Sequence, residues 1–340
     1  MNDTLLQDML AGSRRALARL LTRIEDGTGG EALRALHAHT GKAWVVGITG
    51  APGTGKSSLV NALAKALRAR GDTVAIVAVD PTSPFSGGAI LGDRIRMREL
   101  SGDKGVFIRS MATRGSLGGL ARTTRDVVRA LDAAGFAYVL VETVGAGQSE
   151  VDIVRTADTT LVIEAPGLGD DVQAIKAGIL EIADVLVVNK ADRVGAAQTT
   201  RALRAMLELG HPAAKEQMVS HHGQMMRLSA PVTPSHDAGG LWLPPVVQTV
   251  ATEDKGLDEL LGAIDAHRSF LAQDPATATA RKARYVQLEL YERLQYALLE
   301  RLKHTLSDDT LAQVVADVQN KTLDPQTAVE KLLTIAYNQP

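Results

Sequence analysis

The chain has 340 residues, 45% hydrophobic and 22% charged, ordinary globular values that allow a sizeable core and, at about 150 residues per domain, roughly two structural units. With 37 basic against 39 acidic residues the net charge is −2, without the electrostatic footprint of a nucleic-acid or polybasic membrane binder. Cysteine is absent, which excludes disulfides, thiolate metal sites and a cysteine nucleophile; no apolar run reaches the ~18 residues that span a bilayer, and the acidic start MNDTLLQDML is unlike a signal peptide, so the chain reads as soluble and cytoplasmic.

Residues 1–40 carry Leu5, Leu6, Met9, Leu10, Leu17, Leu20 and Leu21 at helical spacing. Arg14, Arg15, Arg19 and Arg23 lie on another face, read as solvated, and the run Gly27–Gly30 divides the segment into two helices. From Trp44 the pattern changes. AWVVGIT, TVAIVAV, FAYVLVE, TTLVIEA and ADVLVVN are short, nearly continuous apolar runs, suited to strands buried on both faces of a parallel sheet. Helical segments at 56–70 and 118–134 separate some of them, which predicts a doubly wound α/β domain closing with PPVVQTVA and a helix from Gly256 to about Leu271. Tyr285, Leu288, Tyr291, Leu294, Leu298 and Leu302 then form an apolar stripe on one long helix, packed on its own domain or on a second subunit. DPQTAVEKLLTIAY starts a further helix with Pro325 in its first turn. The predicted division is a helical extension over 1–42, an α/β domain over 43–272 and a helical arm over 273–340.

Gly50-Ala51-Pro52-Gly53-Thr54-Gly55-Lys56-Ser57 fits G-x-x-x-x-G-K-[ST] between a predicted strand and an amphipathic helix, with Ser58 in the same turn. Glycines let the backbone curl so that its N–H groups converge on phosphate oxygens, and the helix N-terminus adds its positive end. Lys56 brings charge to the β- and γ-phosphates, and the Ser57 hydroxyl is placed for Mg²⁺.

Asn189-Lys190-Ala191-Asp192 ends the strand DVLVVN. A carboxylate at Asp192 accepts from guanine N1–H and its exocyclic amine, a donor pair that adenine lacks. Lys190 lies along the base and Asn189 ties neighbouring loops. Val250-Ala251-Thr252 after the last strand is the candidate third base contact, through the Ala251 N–H to guanine O6. Asp80, Asp93 and Glu142 each fall at or near a strand end, where open α/β sheets bind ligands; Mg²⁺ takes one or two protein ligands and keeps its waters. The Gly145 N–H is positioned for a γ-phosphate. PGLGDDVQAIK over 166–176 is a second nucleotide-sensing segment or a plain turn into a helix.

GxxxxGKS, VDPTSPFSGGAILGDRIRM, VETVGAGQSEVD and VVNKAD in this order resemble the MeaB/ArgK (methylmalonic aciduria type A) family of P-loop GTPases over residues 1–305, most closely from Val46 to Asp192. The resemblance implies GTP and Mg²⁺ binding, slow hydrolysis accelerated by a partner, and a chaperone role in which cofactor loading of an adenosylcobalamin-dependent acyl-CoA mutase is gated and the mutase protected or reactivated. It also implies a homodimer formed through the C-terminal helical arm. Matching positions are Lys56 and Ser57 at phosphate, Asp80, Asp93 and Glu142 around Mg²⁺, and Asn189, Lys190 and Asp192 at guanine, with 166–176 matching a switch that touches the mutase. The chain departs from the family at Val250-Ala251-Thr252, which replaces a serine-containing loop. A longer stretch from Gly210 to Leu243 carries His211, His221, His222 and His236 without metal-ligand spacing.

The expected reaction is attack of water on the γ-phosphoryl group. No glutamine follows Gly145 directly; Gln148 is the candidate to orient water, and Arg96 or Arg94 to offset charge. Other readings are a GTP- or ATP-dependent protein kinase linked to amino-acid transport, a nucleotide-gated scaffold, and a nickel-inserting GTPase of related fold, the last disfavoured by the missing cysteines.

Overall fold

A computed structural model describes residues 2–81, 98–100, 102–113, 119–143, 156–167, 182–210 and 241–337. It forms two compact units, Met1–Thr279 and Ala280–Pro340. The first unit holds a seven-stranded sheet of β1 (Trp44–Gly50), β2 (Val74–Pro81), β3 (Val106–Thr113), β4 (Tyr138–Thr143), β5 (Thr159–Glu164), β6 (Val185–Asn189) and β7 (Val246–Thr249). The order is β3-β2-β4-β1-β5-β6-β7 and every neighbouring pair is parallel. Flanking helices are α1 (Asn2–Leu10), α2 (Arg14–Glu25), α3 (Gly30–Leu36), α4 (Lys56–Ala69), α5 (Gly119–Ala133), α6 (Ala196–Gly210) and α7 (Leu257–Gln273). α8 (Pro275–Thr305), α9 (Asp308–Gln319) and α10 (Pro325–Tyr337) follow. The doubly wound α/β architecture expected from the apolar runs is the one observed.

Strand pleating explains why those runs are nearly continuous. Val46, Ile48, Val74, Ile76, Leu140, Leu161, Ile163, Val185 and Val187 pack against α4 and α7. The alternate residues face the other way: Val45, Ala75, Val77, Val139 and Val141 meet α1–α3 and α5, and Val162, Leu186 and Val188 meet α6. Both faces are covered, so neither carries polar alternation. β1 lies between β4 and β5, with the chain winding outward to each side, and that reversal opens a crevice at its carboxyl end.

Two details differ from the sequence expectation. β3 was not among the expected strands: it is an edge strand with Arg109 and Ser110 half-buried, so its apolar signal is interrupted. The N-terminal segment is three helices rather than two, because Gly12, at φ +92°, separates α1 from α2 ahead of the Ser13 N-cap. Arg14, Arg15, Arg19 and Arg23 are all exposed, in keeping with a solvated face, and the Arg14 guanidinium in addition donates to Lys104 O at 2.9 Å and to Val106 O at the start of β3 and stacks on Phe107. Arg109 meets Glu25 at 2.6 Å. Residues 2–36 thus pack into the core of the first unit.

At the amino ends of the strands, Trp44 Nε1 donates to the Thr159 hydroxyl at 3.0 Å, and that oxygen lies 3.0 Å from Nδ1 of the buried His267. This ties β1, β5 and α7 together on the side away from the crevice. In the second unit, Val314 of α9 and Ala328 of α10 are buried, and α10 is capped by Asp324, which accepts from the N–H groups of Gln326 and Thr327. Among the described residues no helix is long and apolar enough to cross a membrane.

Candidate nucleotide site

Three glycines shape the loop between β1 and α4. Gly50, Gly53 and Gly55 have φ of +143°, +83° and +90°, values that other residues rarely adopt. Two also have no room for a side chain: a Cβ on Gly50 would lie 2.1 Å from Ile163 O, and one on Gly55 2.5 Å from Asn189 Nδ2. Thr54 closes the turn, its N–H and hydroxyl meeting Ala51 O at 3.3 and 2.9 Å. The buried Lys56 curls back, its ammonium donating to Gly50 O at 2.8 Å and Ala51 O at 3.0 Å. Its charge is thus held over the loop, beside the N-terminus of α4, where helix amides and dipole favour anions. Pro52 and Gly53 are exposed at the loop's crown, and Ser58 is half-buried in the first turn of α4.

Ser57, also in that turn, donates its hydroxyl to Glu142 Oε1 at 2.7 Å. Glu142 sits near the end of β4, opposite Ile48 of β1 and Ala78 of β2, and is 5% exposed. These two hard oxygen donors fit magnesium: neighbouring oxygens of an octahedral ion bonded at about 2.1 Å are roughly 3 Å apart. Asp80 is the penultimate residue of β2, with its side chain outside the described residues. Asp93, Arg94, Arg96, Gly145, Gln148, residues 168–176 of the second segment, and His211, His221, His222 and His236 also lie outside the described residues. Among those described, no group of three His, Cys, Asp or Glu side chains could hold a metal.

At the end of β6, the buried Asn189 joins three segments. Its Nδ2 donates to Thr54 O at 2.9 Å, while its Oδ1 accepts from the Thr249 hydroxyl at 3.1 Å and the Ala251 N–H at 3.2 Å. The Ala251 N–H expected to face a base oxygen is bonded to Asn189 Oδ1 instead. Lys190, at φ +58°, reaches across to Gly53 O at 2.6 Å. Asp192 is exposed beyond it. Lys255 stands close enough to contribute electrostatically: its pKa is raised chiefly by its hydrogen bond to Glu253, with a smaller contribution from Asp192.

The Val250-Ala251-Thr252 loop has Val250 and Ala251 buried and Thr252 exposed. Val250 and Lys255 exchange backbone hydrogen bonds at 3.1 and 3.3 Å. Gly256 permits this return, because a Cβ there would lie 2.0 Å from Gln248 O. Sequence alone assigns no role to Thr249 or to the Thr49–Thr143 hydroxyl pair, and Gly256 is legible there only as a helix start. A polar residue ending an otherwise apolar strand was the available signal for Thr49, Thr143 and Thr249.

A parallel sheet with a glycine-shaped, lysine-bearing loop at the carboxyl end of its central strand defines a P-loop nucleotide-binding protein. The chain belongs to the MeaB family: the family described as methylmalonyl Co-A mutase-associated GTPase MeaB matches residues 17–307. It is 44% identical over 335 residues to a Pyrococcus abyssi protein provisionally named a GTPase, covering 98% of this chain and 96% of that one. With GTPase ArgK of Escherichia coli it shares 33% identity, over 94% of this chain and 92% of the relative. A mitochondrial methylmalonic aciduria type A homolog of Caenorhabditis briggsae is 38% identical over 205 residues, 55% of this chain and 50% of its own. A solved structure described as LAO/AO transport system kinase matches with a TM-score of 0.68 and 24% identity over 99% of this chain and 98% of that one, a likeness of fold.

Proposed function

We propose that this MeaB-family GTPase hydrolyses GTP in order to gate cofactor loading of an adenosylcobalamin-dependent acyl-CoA mutase and to protect or reactivate that enzyme. The family's description supports the mutase association. The observation that carries the chemistry is the convergence of Lys56, Ser57 and Glu142 at the head of α4, with Asn189 and Lys190 bonded directly to the phosphate loop.

In the proposed reaction, Lys56 exchanges its carbonyl partners for β- and γ-phosphate oxygens, and loop amides from Gly53 to Ser57 surround the β-phosphate. Asp192 reads guanine N1–H and the exocyclic amine, while Lys190 lies along the base. Ser57 and Glu142 would hold Mg²⁺, with Asp80 and Asp93 acting directly or through water. When bound, the ion supplies charge neutralisation at the β- and γ-oxygens. Water forms a bond to the γ-phosphorus as the bond to the β,γ-bridging oxygen breaks; GDP and phosphate leave with the water's proton released. The preorganised cation and amides stabilise the charge that develops. Gln148 and Arg96 are the proposed water-orienting and charge-offsetting residues, and Gly145 is proposed to sense the γ-phosphate.

We further propose that residues 273–340 form a dimerisation arm. Val286, Leu290, Tyr291, Leu294 and Leu299 of α8 are each more than half exposed, an apolar stripe of the kind that interfaces cover. A mass measurement in solution tests it: twice the chain mass is expected, and a monomer at micromolar concentration refutes it.

Phosphate release from GTP, with and without methylmalonyl-CoA mutase, tests the main reading. Turnover is expected to be slow alone and faster with the mutase, and Lys56→Ala to abolish it with greatly weakened nucleotide binding. Wild-type turnover in Lys56→Ala refutes the phosphate assignment. Label from γ-labelled GTP appearing on protein instead of as free phosphate supports a kinase.

A further inference from the structure

Ile48 stands opposite Glu142 in the β1–β4 ladder, and Thr49 and Thr143 are the next residues of the two strands. The Thr143 hydroxyl donates to the Thr49 hydroxyl at 3.3 Å, a long bond between side chains 4% and 0% exposed. Neither hydroxyl is needed for packing. Valine has threonine's shape without its polarity, and valine occupies Val45 of β1 and Val139 and Val141 of β4 on this face of the sheet. A hydroxyl buried in such surroundings is unfavourable unless it is bonded. Two of them occur together, at the carboxyl ends of the two strands that bring phosphate loop and carboxylate together.

On the opposite face, the adjacent residue of β4, Glu142, takes the Ser57 hydroxyl. The ends of β1 and β4 are therefore tied through both faces of the sheet. Thr49 leads directly into Gly50, whose carbonyl receives Lys56 and where a Cβ would lie 2.1 Å from Ile163 O. Thr143 directly follows Glu142.

We infer that the Thr49–Thr143 hydroxyl pair is a positioning device that holds Glu142 in register with the phosphate loop. It thereby sets the spacing of the Ser57 and Glu142 oxygens toward a divalent cation bound with nucleotide. The inference rests on the proposed GTP hydrolysis, but it acts on nucleotide retention as well as on turnover. Thr143→Val keeps the strand's shape and removes the donor; Thr143→Ser keeps the donor and removes a methyl group.

The test measures release of a fluorescent GDP analogue in EDTA and in Mg²⁺, together with kcat and KM for GTP, in wild type, Thr143→Val, Thr143→Ser and Thr49→Val. Affinity in EDTA is expected to stay within about twofold in Thr143→Val, because the phosphate loop is intact. The factor by which Mg²⁺ slows release is expected to shrink about fivefold or more, and kcat to fall by a similar factor with KM little changed, since small misplacements of reacting groups are costly. Thr143→Ser is expected to restore both. An unchanged Mg²⁺ effect and kcat in Thr143→Val overturns the proposal, as does a serine variant as defective as the valine one, which would assign the residue to packing. Should Thr143→Val not fold, Thr49→Val, which removes the acceptor from the other strand, carries the same expectations and the same refutation. Absence of turnover in the wild type refutes the hydrolysis reading, while the Mg²⁺ effect on GDP release still decides this one.

Discussion

Replacing Asn189 by alanine removes from a buried junction three hydrogen bonds, the donation to Thr54 O at 2.9 Å and the bonds accepted from Thr249 and Ala251 at 3.1 and 3.2 Å, together with a longer donation to Gly55 O at 3.5 Å. At about 1 kcal/mol net for each of the three, the loss is roughly 3 kcal/mol. For a unit spanning Met1–Thr279, at about 2.1 cal/mol/K of unfolding entropy per residue, that corresponds to a fall in Tm of about 5 °C. The bond to Thr54 links the base side of the site to the phosphate loop. If that coupling is worth about 1.4 kcal/mol, GDP affinity falls roughly tenfold. Asn189→Asp does not separate the two effects: there a carboxylate oxygen faces the Thr54 carbonyl in a buried site, so Tm and affinity both fall further than in Asn189→Ala. Thr249→Val does, because it removes one accepted bond and leaves the donation to Thr54 O, so Tm falls while affinity holds. Thermal denaturation and titration calorimetry with GDP read both quantities. An Asn189→Ala protein with Tm within about 2 °C of wild type and unchanged GDP affinity would refute the assignment of Asn189 as the junction.

Gly256→Ala places a Cβ 2.0 Å from Gln248 O at a φ of +75°; the backbone conformation alone costs about 1–2 kcal/mol, so a lower Tm is expected by thermal denaturation, and an unchanged one would mean the loop relaxes freely. Asp103 is held below the usual carboxylate range first by its hydrogen bond to Arg68 and then by the Gly105 N–H. Its stabilisation is therefore complete above the unfolded carboxylate value of about 3.9 and is lost as pH falls through the folded value. The Tm gap between wild type and Asp103→Asn is expected to be constant near neutral pH and to narrow in acid; a gap that does not narrow as pH falls below the unfolded value of about 3.9 contradicts this linkage.

Much of the site was legible because phosphate binding demands residues in sequence order. Positive φ at Gly53 and Gly55, the lysine and the hydroxyl must follow one another on one loop and one helix turn, so Gly50 to Ser57 could be read without coordinates. The Asn189-Lys190 pair was legible in the same local way. Its bonds to Thr54 and Gly53 were not, because they join residues more than 130 positions apart. Arg14 illustrates the limit differently. On a helical wheel it resembles Arg15 and Arg19, and only the arrival of β3 beside α2 gives this surface cation the carbonyls of Lys104 and Val106 as partners.

The sequence by itself determined what depends on chain-local periodicity and local backbone chemistry: strands buried on both faces, their alternation with helices, and a loop able to wrap phosphate. The tertiary structure decided the strand order, the joining of β3 to the sheet edge, the docking of α1–α3 on the α5 face, and the meetings of Ser57 with Glu142 and of Thr49 with Thr143. Parallel strands pair only through long crossovers, so partners in space are far apart in the chain. Short-range patterning shows which residues seek burial or a phosphate; which carboxylate a given hydroxyl meets is set only when the sheet closes.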